Sequence, residues 1–358
     1  MKKKIKNEKE QIYFLDDYIP STKDAGCKAR IDAREIFLRR GYKSYPINYQ
    51  PGKTFFFKVH FYISVFFRLC KIPRHSIIAV QFPFYYLGRI SILFSYIASF
   101  KHLRIIILLH DLDFLRFGGK YGLKQKKGCR ILFKAKNIIS HNQKMTEVLE
   151  EIGIDSKRIV NLKVFDYLLD SRIPVSAHLN GNTVVFAGNL TKSLFCKNLK
   201  AINLKNISIR LYGVADNPTS LLSKNIEYAG CFKPDELPYK LNGNYSLVWD
   251  GDSLKTCSGL IGNYLRYNNP HKISLSIISR LPVIIWEEAA LADFVVNEKI
   301  GFTVKNLFEL EEKISHITEN QYAEFQKNLE RLSSSLLRGL YLESALEKAE
   351  ADINAGEK

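Results

Sequence analysis

The second half of this chain repeats one short pattern, an apolar run that stops at a glycine. Residues 182–187 stop at Gly188, residues 207–212 at Gly213, residues 226–228 just before Gly230, and residues 245–249 at Asp250-Gly251. Each run has the length of a buried strand. Glycine lets a ligand approach the backbone where a strand ends. A later run, LPVIIW at 281–286, carries no charge, as a parallel strand covered on both faces should. The pattern predicts an open parallel sheet with a ligand crevice along its carboxyl ends.

The first half alternates in the same way. Strands are expected at 12–15, 44–47, 76–81, Arg104–Leu109 and 138–140. Helices are expected at 29–40, Phe55–Cys70, 85–100 and 142–151, with Ile31, Ile36 and Phe37 of the first turned to the core. Such a βαβ series implies a second parallel sheet. Segment 171–181 (SRIPVSAHLNG) reads as a linker, which divides the chain into domains at 1–175 and 181–337. Residues 338–358 then form a C-terminal helix, a crossover or an oligomer contact. Segment 113–128 sets Gly118, Gly119, Gly122 and Gly128 among Lys120, Lys124, Lys126 and Lys127. It reads as a long loop near the cleft, either a lid or a loop without a task.

Charge and cysteine usage exclude several classes. The longest uncharged apolar runs, 90–100 and 105–109, are too short to span a bilayer. The basic start MKKKIKNEKE has no apolar stretch after it, so a secretory signal is not expected. Six scattered cysteines without a CxxC pair fit a reduced, cytoplasmic protein with neither a disulfide framework nor a zinc site. Residues 1–180 hold 33 Lys and Arg against 15 Asp and Glu, a balance of +18. Residues 181–358 hold 20 against 21, a balance of −1. Any large anionic partner would therefore meet the first half, where 51–100 has six basic residues and no acidic one. An anionic membrane surface at the inner face, nucleic acid and an acidic acceptor all fit that charge, as does a basic half that only aids solubility. No helix-turn-helix, finger or RNP motif is visible, so a nucleic-acid partner is not expected.

A polar knot, Tyr267-Asn268-Asn269-Pro270-His271-Lys272, precedes the helix-like run before LPVIIW. Pro270 suits the first turn of a helix, where its missing N–H is no loss. The free N–H groups behind it favour an anion, and Lys272 adds a full charge. The loop can hold a phosphate, or it is an ordinary connection with a solvated lysine.

The stretches FAGNLTKS (from Phe186), LYG (from Leu211), YAGCFKPDELP (from Tyr228), LVWDG (from Leu247), YLRYNNPHK (from Tyr264), LPVIIW, AALADFV (from Ala289) and HDLDFLR (from His110) occur in this order. Together they resemble the bacterial glycosyltransferase family that contains the glucosyltransferase extending O-linked GlcNAc on serine-rich adhesins, with relatives labelled β-1,6-galactofuranosyltransferase-like. The resemblance implies a GT-B fold: two Rossmann-like domains facing a cleft, with a C-terminal helical return. It further implies hexose transfer from a nucleotide sugar, UDP-linked glucose or galactofuranose, to a glycan or glycoprotein acceptor. The donor would be a substrate and no cofactor would be tightly bound. The resemblance also allows a homo-oligomer.

Within that frame the donor side is expected at Gly188, Asn189, Lys192, Gly213, Gly251, Tyr267, Asn268, Asn269, His271 and Lys272. The catalytic base is expected at Asp111, with Asp16 second and His110 beside them; Gly26 and Lys28 would line the acceptor side. Asp111 could equally cap the next helix, and some of the asparagines could cap their own turns. Asp111/Asp113 and Asp250/Asp252 are spaced as DxD pairs, but they read as local turn or site residues and no metal is expected. Two glutamates eight apart mark many retaining GT-B enzymes; the corresponding positions here are Tyr267 and Leu275, so that mechanism does not carry over. A non-catalytic nucleotide-sugar-binding subunit of a transferase complex would preserve the knot while tolerating changes at Asp111 and Asp16.

Overall fold

A computed structural model describes residues 11–17, 25–47, 55–84, 88–118, 129–171 and 181–355. Most of the glycine- and lysine-rich loop, and the centre of the 171–181 linker, lie outside these residues. The N-terminal part contains β1 (Ile12–Asp16), α1 (Ala25–Arg39), β2 (Lys43–Pro46), α2 (Phe55–Cys70), β3 (Ile77–Phe82), α3 (Gly88–Lys101) and β4 (Arg104–Leu109). It continues with α4 (Asp113–Arg116), α5 (Arg130–Lys134), β5 (Asn137–Ser140), α6 (Gln143–Glu151) and β6 (Ile159–Asn161). Its six strands are all parallel, in the order β2-β1-β3-β4-β5-β6. β3 and β4 are buried at every residue. That burial is why both read as unbroken apolar runs.

The second sheet is built from β7 (Thr183–Ala187), β8 (Ser208–Tyr212), β9 (Ile226–Gly230), β10 (Tyr245–Val248), β11 (Val283–Trp286) and β12 (Gly301–Val304). It is also fully parallel, in the order β12-β11-β10-β7-β8-β9. The chain winds outward from β7 through β8 to β9, then returns to β10 and winds the other way. This reversal between β7 and β10 is the switch point of a dinucleotide-type fold, where the flanking loops part and leave a crevice. The helices α7 (Leu237–Lys240), α8 (Gly259–Tyr264), α9 (His271–Ile278), α10 (Ala292–Asn297) and α11 (Leu310–Ser315) lie in its connections.

The long α12 (Glu319–Arg338) starts at a capping box, Thr318 with Gln321, and ends at Gly339, whose φ of +84° is open to glycine. Leu329, Leu332 and Leu336 place it on the second domain's core. The turn at Gly339 then sends α13 (Leu340–Ala355) back to the first sheet. There Leu342, Leu346, Ala349 and Ile353 join Phe14, Phe37 and Ile106. The return helix thus completes one face of the N-terminal sheet, and α2, α3, α5 and α6 cover the other.

Several local readings shift. Pro270 is extended (ψ 130°) and caps α9 from outside, one residue before the first turn. Ile31 is only half-buried, and the inward position beside it is taken by Asp32, which carries an ion pair to Lys28. β6 was not legible: it is three residues long and only its central valine is buried.

Candidate active site

The crevice between β7 and β10 is built on close backbone approach. Gly213, after β8, has φ +131°, and a Cβ there would collide with the Gly188 carbonyl after β7. Gly251, after β10, has φ +99°, and a Cβ would collide with Ser258. Lys272, the second residue of α9, crosses this gap. Its Cε would lie 3.0 Å from a Cβ on Gly188, and its ammonium sits 5.2 Å from the Phe186 ring centroid.

Lys272 Nζ is fixed by Asp250 at 2.7 Å. Asp250 also accepts from Ser193 Oγ at 2.9 Å and from the Gly251 N–H at 3.0 Å. Burial alone would raise the Asp250 carboxyl. The Lys272 ammonium with these two donors more than offsets that, so it titrates below the ordinary range. Asn189 is exposed, and its side chain accepts from the Lys192 N–H in a local turn. Lys192 itself is exposed on that loop.

The rest of the knot docks on the N-terminal domain. Asn269 N–H donates to His141 Nδ1 (3.0 Å), and its amide donates to the carbonyls of His141 (2.7 Å) and Lys163 (3.0 Å). Asn269 Oδ1 accepts from Asn142 (2.7 Å), which also donates to the Tyr267 carbonyl (2.9 Å). Asn269, expected on the donor side, thus engages the N-terminal domain with its backbone N–H and both polar atoms of its side chain. Asn268 keeps a buried side-chain oxygen with no hydrogen-bond partner. Lys28, expected on the acceptor side, also bridges the two domains. It is buried, donates to Asp32 (2.7 Å) and the Leu168 carbonyl (2.6 Å), and pairs with Asp235 of the second domain (2.7 Å). Gly26 lies in the first turn of α1.

Phe165 brings the two sides together. The His110 ring, past the end of β4, stacks on it at 5.4 Å between centroids, His141 meets it edge-on at 5.0 Å, and His271, which opens α9, at 6.3 Å. Tyr167 stacks on the His271 ring at 4.8 Å between centroids. All three imidazoles are held neutral by burial: His141 and His271 are pushed down to about 4 and His110 well below its ordinary value, where the nearby Arg30 guanidinium adds to the effect.

Their tautomers follow from their partners. His141 Nδ1 accepts from Asn269, so Nε2–H donates to the Leu109 carbonyl (3.0 Å). His271 Nε2–H donates to the Asp166 carbonyl (3.3 Å). Gln81 donates its amide to the Arg30 carbonyl (3.3 Å), which turns its oxygen to accept His110 Nε2–H (2.7 Å). In each of these rings Nδ1 is the unprotonated nitrogen, and that of His141 already accepts the Asn269 N–H.

Of the carboxylates, Asp111 pairs with Arg116 (2.8 Å) and shares a hydrogen bond with Tyr264 of the second domain. Burial still outweighs these partners and raises its carboxyl above the ordinary value. Asp16 is the buried last residue of β1, held by Arg34 Nε (3.0 Å) and Ser44 Oγ (2.7 Å). Both of its oxygens are engaged in joining β1, β2 and α1. Sequence reasoning left Asp250, in WDGD, open between a turn and a site residue, and it missed Gln81, the one polar residue in a buried strand, and Phe165, which no local pattern marks.

The N-terminal model of the glucosyltransferase 3-like family matches residues 12–164 and its C-terminal model residues 184–349. The chain belongs to the glucosyltransferase 3-like family. This family member is 33% identical to β-1,6-galactofuranosyltransferase WbbI of Escherichia coli K12, across 96% of this chain and 99% of that one. Glucosyltransferase 3 of Streptococcus parasanguinis is 24% identical over 67% of this chain and 68% of its own. Among solved structures, the apo form of the lipopolysaccharide outer core galactosyltransferase WaaB superposes with a TM-score of 0.60 at 12% identity, covering 95% of this chain and 98% of that one. The GT-B architecture and the glycosyltransferase class expected from the motifs are both met.

Proposed function

We propose that this glycosyltransferase moves a hexosyl group from a UDP-sugar to a glycan hydroxyl without a catalytic metal, with the donor on the second domain and the acceptor on the first. The observation that carries this reading is the convergence on Phe165 of His110, from the end of β4, and His271, which is followed in sequence by Lys272. The diphosphate would lie over Gly188 and Gly213, with the start of α9 and the Lys272 ammonium meeting its charge. Asp250 holds that ammonium in place before the donor arrives, so little reorganisation is needed as charge develops on the leaving group. The bare Nδ1 of His110 would accept a hydroxyl of the donor or acceptor sugar. Asp111, with its raised carboxyl, is the better base for the attacking hydroxyl. Because the full-length relative is a galactofuranosyltransferase, UDP-galactofuranose is the first donor to test and UDP-glucose the second.

The test is calorimetric titration of UDP in EDTA, wild type beside Lys272→Ala, followed by turnover with both donors in EDTA. Lys272→Ala should weaken UDP binding tenfold or more, about 1.4 kcal/mol. UDP binding indifferent to Lys272 would remove the diphosphate assignment. Turnover that vanishes in EDTA and returns with a divalent cation would refute the metal-free part. UDP binding with no transfer from any donor would favour a scaffold role.

A further inference from the structure

We propose that the exposed side of α2, with the adjoining end of α3, docks this protein on an anionic phospholipid surface. α2 is apolar on two opposite sides. Phe61, Val65 and Leu69, four residues apart, pack into the N-terminal core. Val59, Ile63, Phe66 and Phe67 follow at three- and four-residue spacing on the other side, which makes them one stripe along the helix. All four are exposed, Phe67 by 60%. α3 packs beside α2, and Phe100 near its end is 71% exposed. A contiguous exposed apolar surface of this kind marks a contact with another apolar phase. The 16 residues of α2 span about 24 Å. No helix among the described residues is long and apolar enough to cross a membrane, so α2 would lie in the plane of the headgroups.

Charge selects the occupant. No Asp or Glu occurs between Glu35 and Asp111. Arg68, Lys71 and Arg74 are exposed where the stripe ends. The Arg74 guanidinium lies 5.2 Å from the Phe100 ring centroid and donates to the Phe100 carbonyl at 3.1 Å. Aromatic side chains flanked by cations suit the boundary between acyl chains and anionic headgroups. A second copy of the same face would set these cations against their own kind, with no carboxylate in this stretch to receive them. Self-association is therefore the poorer match.

The experiment is sedimentation of the full chain with vesicles of phosphatidylcholine mixed with phosphatidylglycerol, against phosphatidylcholine alone. The wild type should partition onto the mixed vesicles about tenfold more strongly, and less so as salt rises. Ile63→Ser/Phe67→Ser should weaken that partition about tenfold, near 1.4 kcal/mol. Both side chains lie outside the core, so its thermal unfolding should match the wild type. Phe67→Trp should shift its emission to the blue on mixed vesicles, since Trp249 and Trp286 are already buried and supply a constant background. Equal partition of the wild type and the double variant, or no shift for Phe67→Trp, overturns the proposal. An oligomer that the double variant splits, with no vesicle binding in either form, assigns the face to a second copy and overturns it too. Lipid binding is read without any donor, so the outcome is independent of the proposed transfer.

Discussion

The two sheets reverse direction at different places and furnish those places differently. In the second sheet, the β7–β10 boundary ends in Gly188 and Asp250-Gly251, so the main chain is bare and one ion pair, Lys272–Asp250, supplies the charge. In the first, the boundary between β1 and β3 is filled with side chains. Asp16 is clasped by Arg34 and Ser44, Arg30 lies 3.7 Å from Asp17, and Gln81 orients His110. The same topological rule places a crevice at each boundary. Glycine lets the main chain of one boundary approach its neighbours closely, leaving few side chains there. Packed side chains make the other a floor of fixed hydrogen-bond directions.

The comparison breaks most sharply at Gly213. Gly213→Ala places a Cβ against the Gly188 carbonyl at a φ that side chains rarely adopt. The loss of stability should be about 4 kcal/mol or more, read by urea unfolding; a loss under about 1 kcal/mol would mean that the two loops are not held together. On the first domain, Asp111→Asn should lower kcat about a hundredfold or more, as loss of a general base does. Asp16→Asn should leave kcat within a few-fold while weakening the Arg34 clasp, so unfolding rather than turnover reports it. If Asp16→Asn is the slower enzyme, the base has been assigned to the wrong strand.

A smaller effect separates the domain cores from their junction by pH. Asp166 accepts the N–H groups of Tyr341 and Leu342 at the start of α13, and burial raises its carboxyl from 3.8 to about 7. Between those values the folded chain keeps a proton that the unfolded chain has released, so stability falls as pH rises toward 7. Asp166→Asn should flatten that slope, measured by thermal unfolding from pH 4 to 7. Asp250 has the opposite sign. Its depressed carboxyl contributes stability above the ordinary aspartate range that is lost as pH falls through its folded value. An unchanged slope in Asp166→Asn would point to Asp32, also raised to about 7, as the group responsible.

The architecture was legible where burial leaves a strong trace. β4 and α2 have the bounds read from sequence, because an uncharged run and an aromatic helix carry their signal in composition. Elements whose order comes from neighbours were read poorly. The helix expected at 29–40 runs Ala25–Arg39, and the strand expected at 44–47 runs Lys43–Pro46. The knot shows the same limit in the site. Its charge and its position before α9 are local facts, but nothing local tells Asn269 to face His141, Asn142 and Lys163, or Lys28 to meet Asp235.

The sequence by itself determined two parallel α/β units, their glycine-ended strands and the placement of Lys272 beside a strand end. These follow from hydrophobic period and backbone freedom, which each segment carries within itself. Only the tertiary structure decided which polar groups stay open toward the crevice and which are consumed. A hydrogen bond between residues more than a hundred positions apart, such as Asn269 to His141, depends on how two domains meet. No short stretch of chain encodes that.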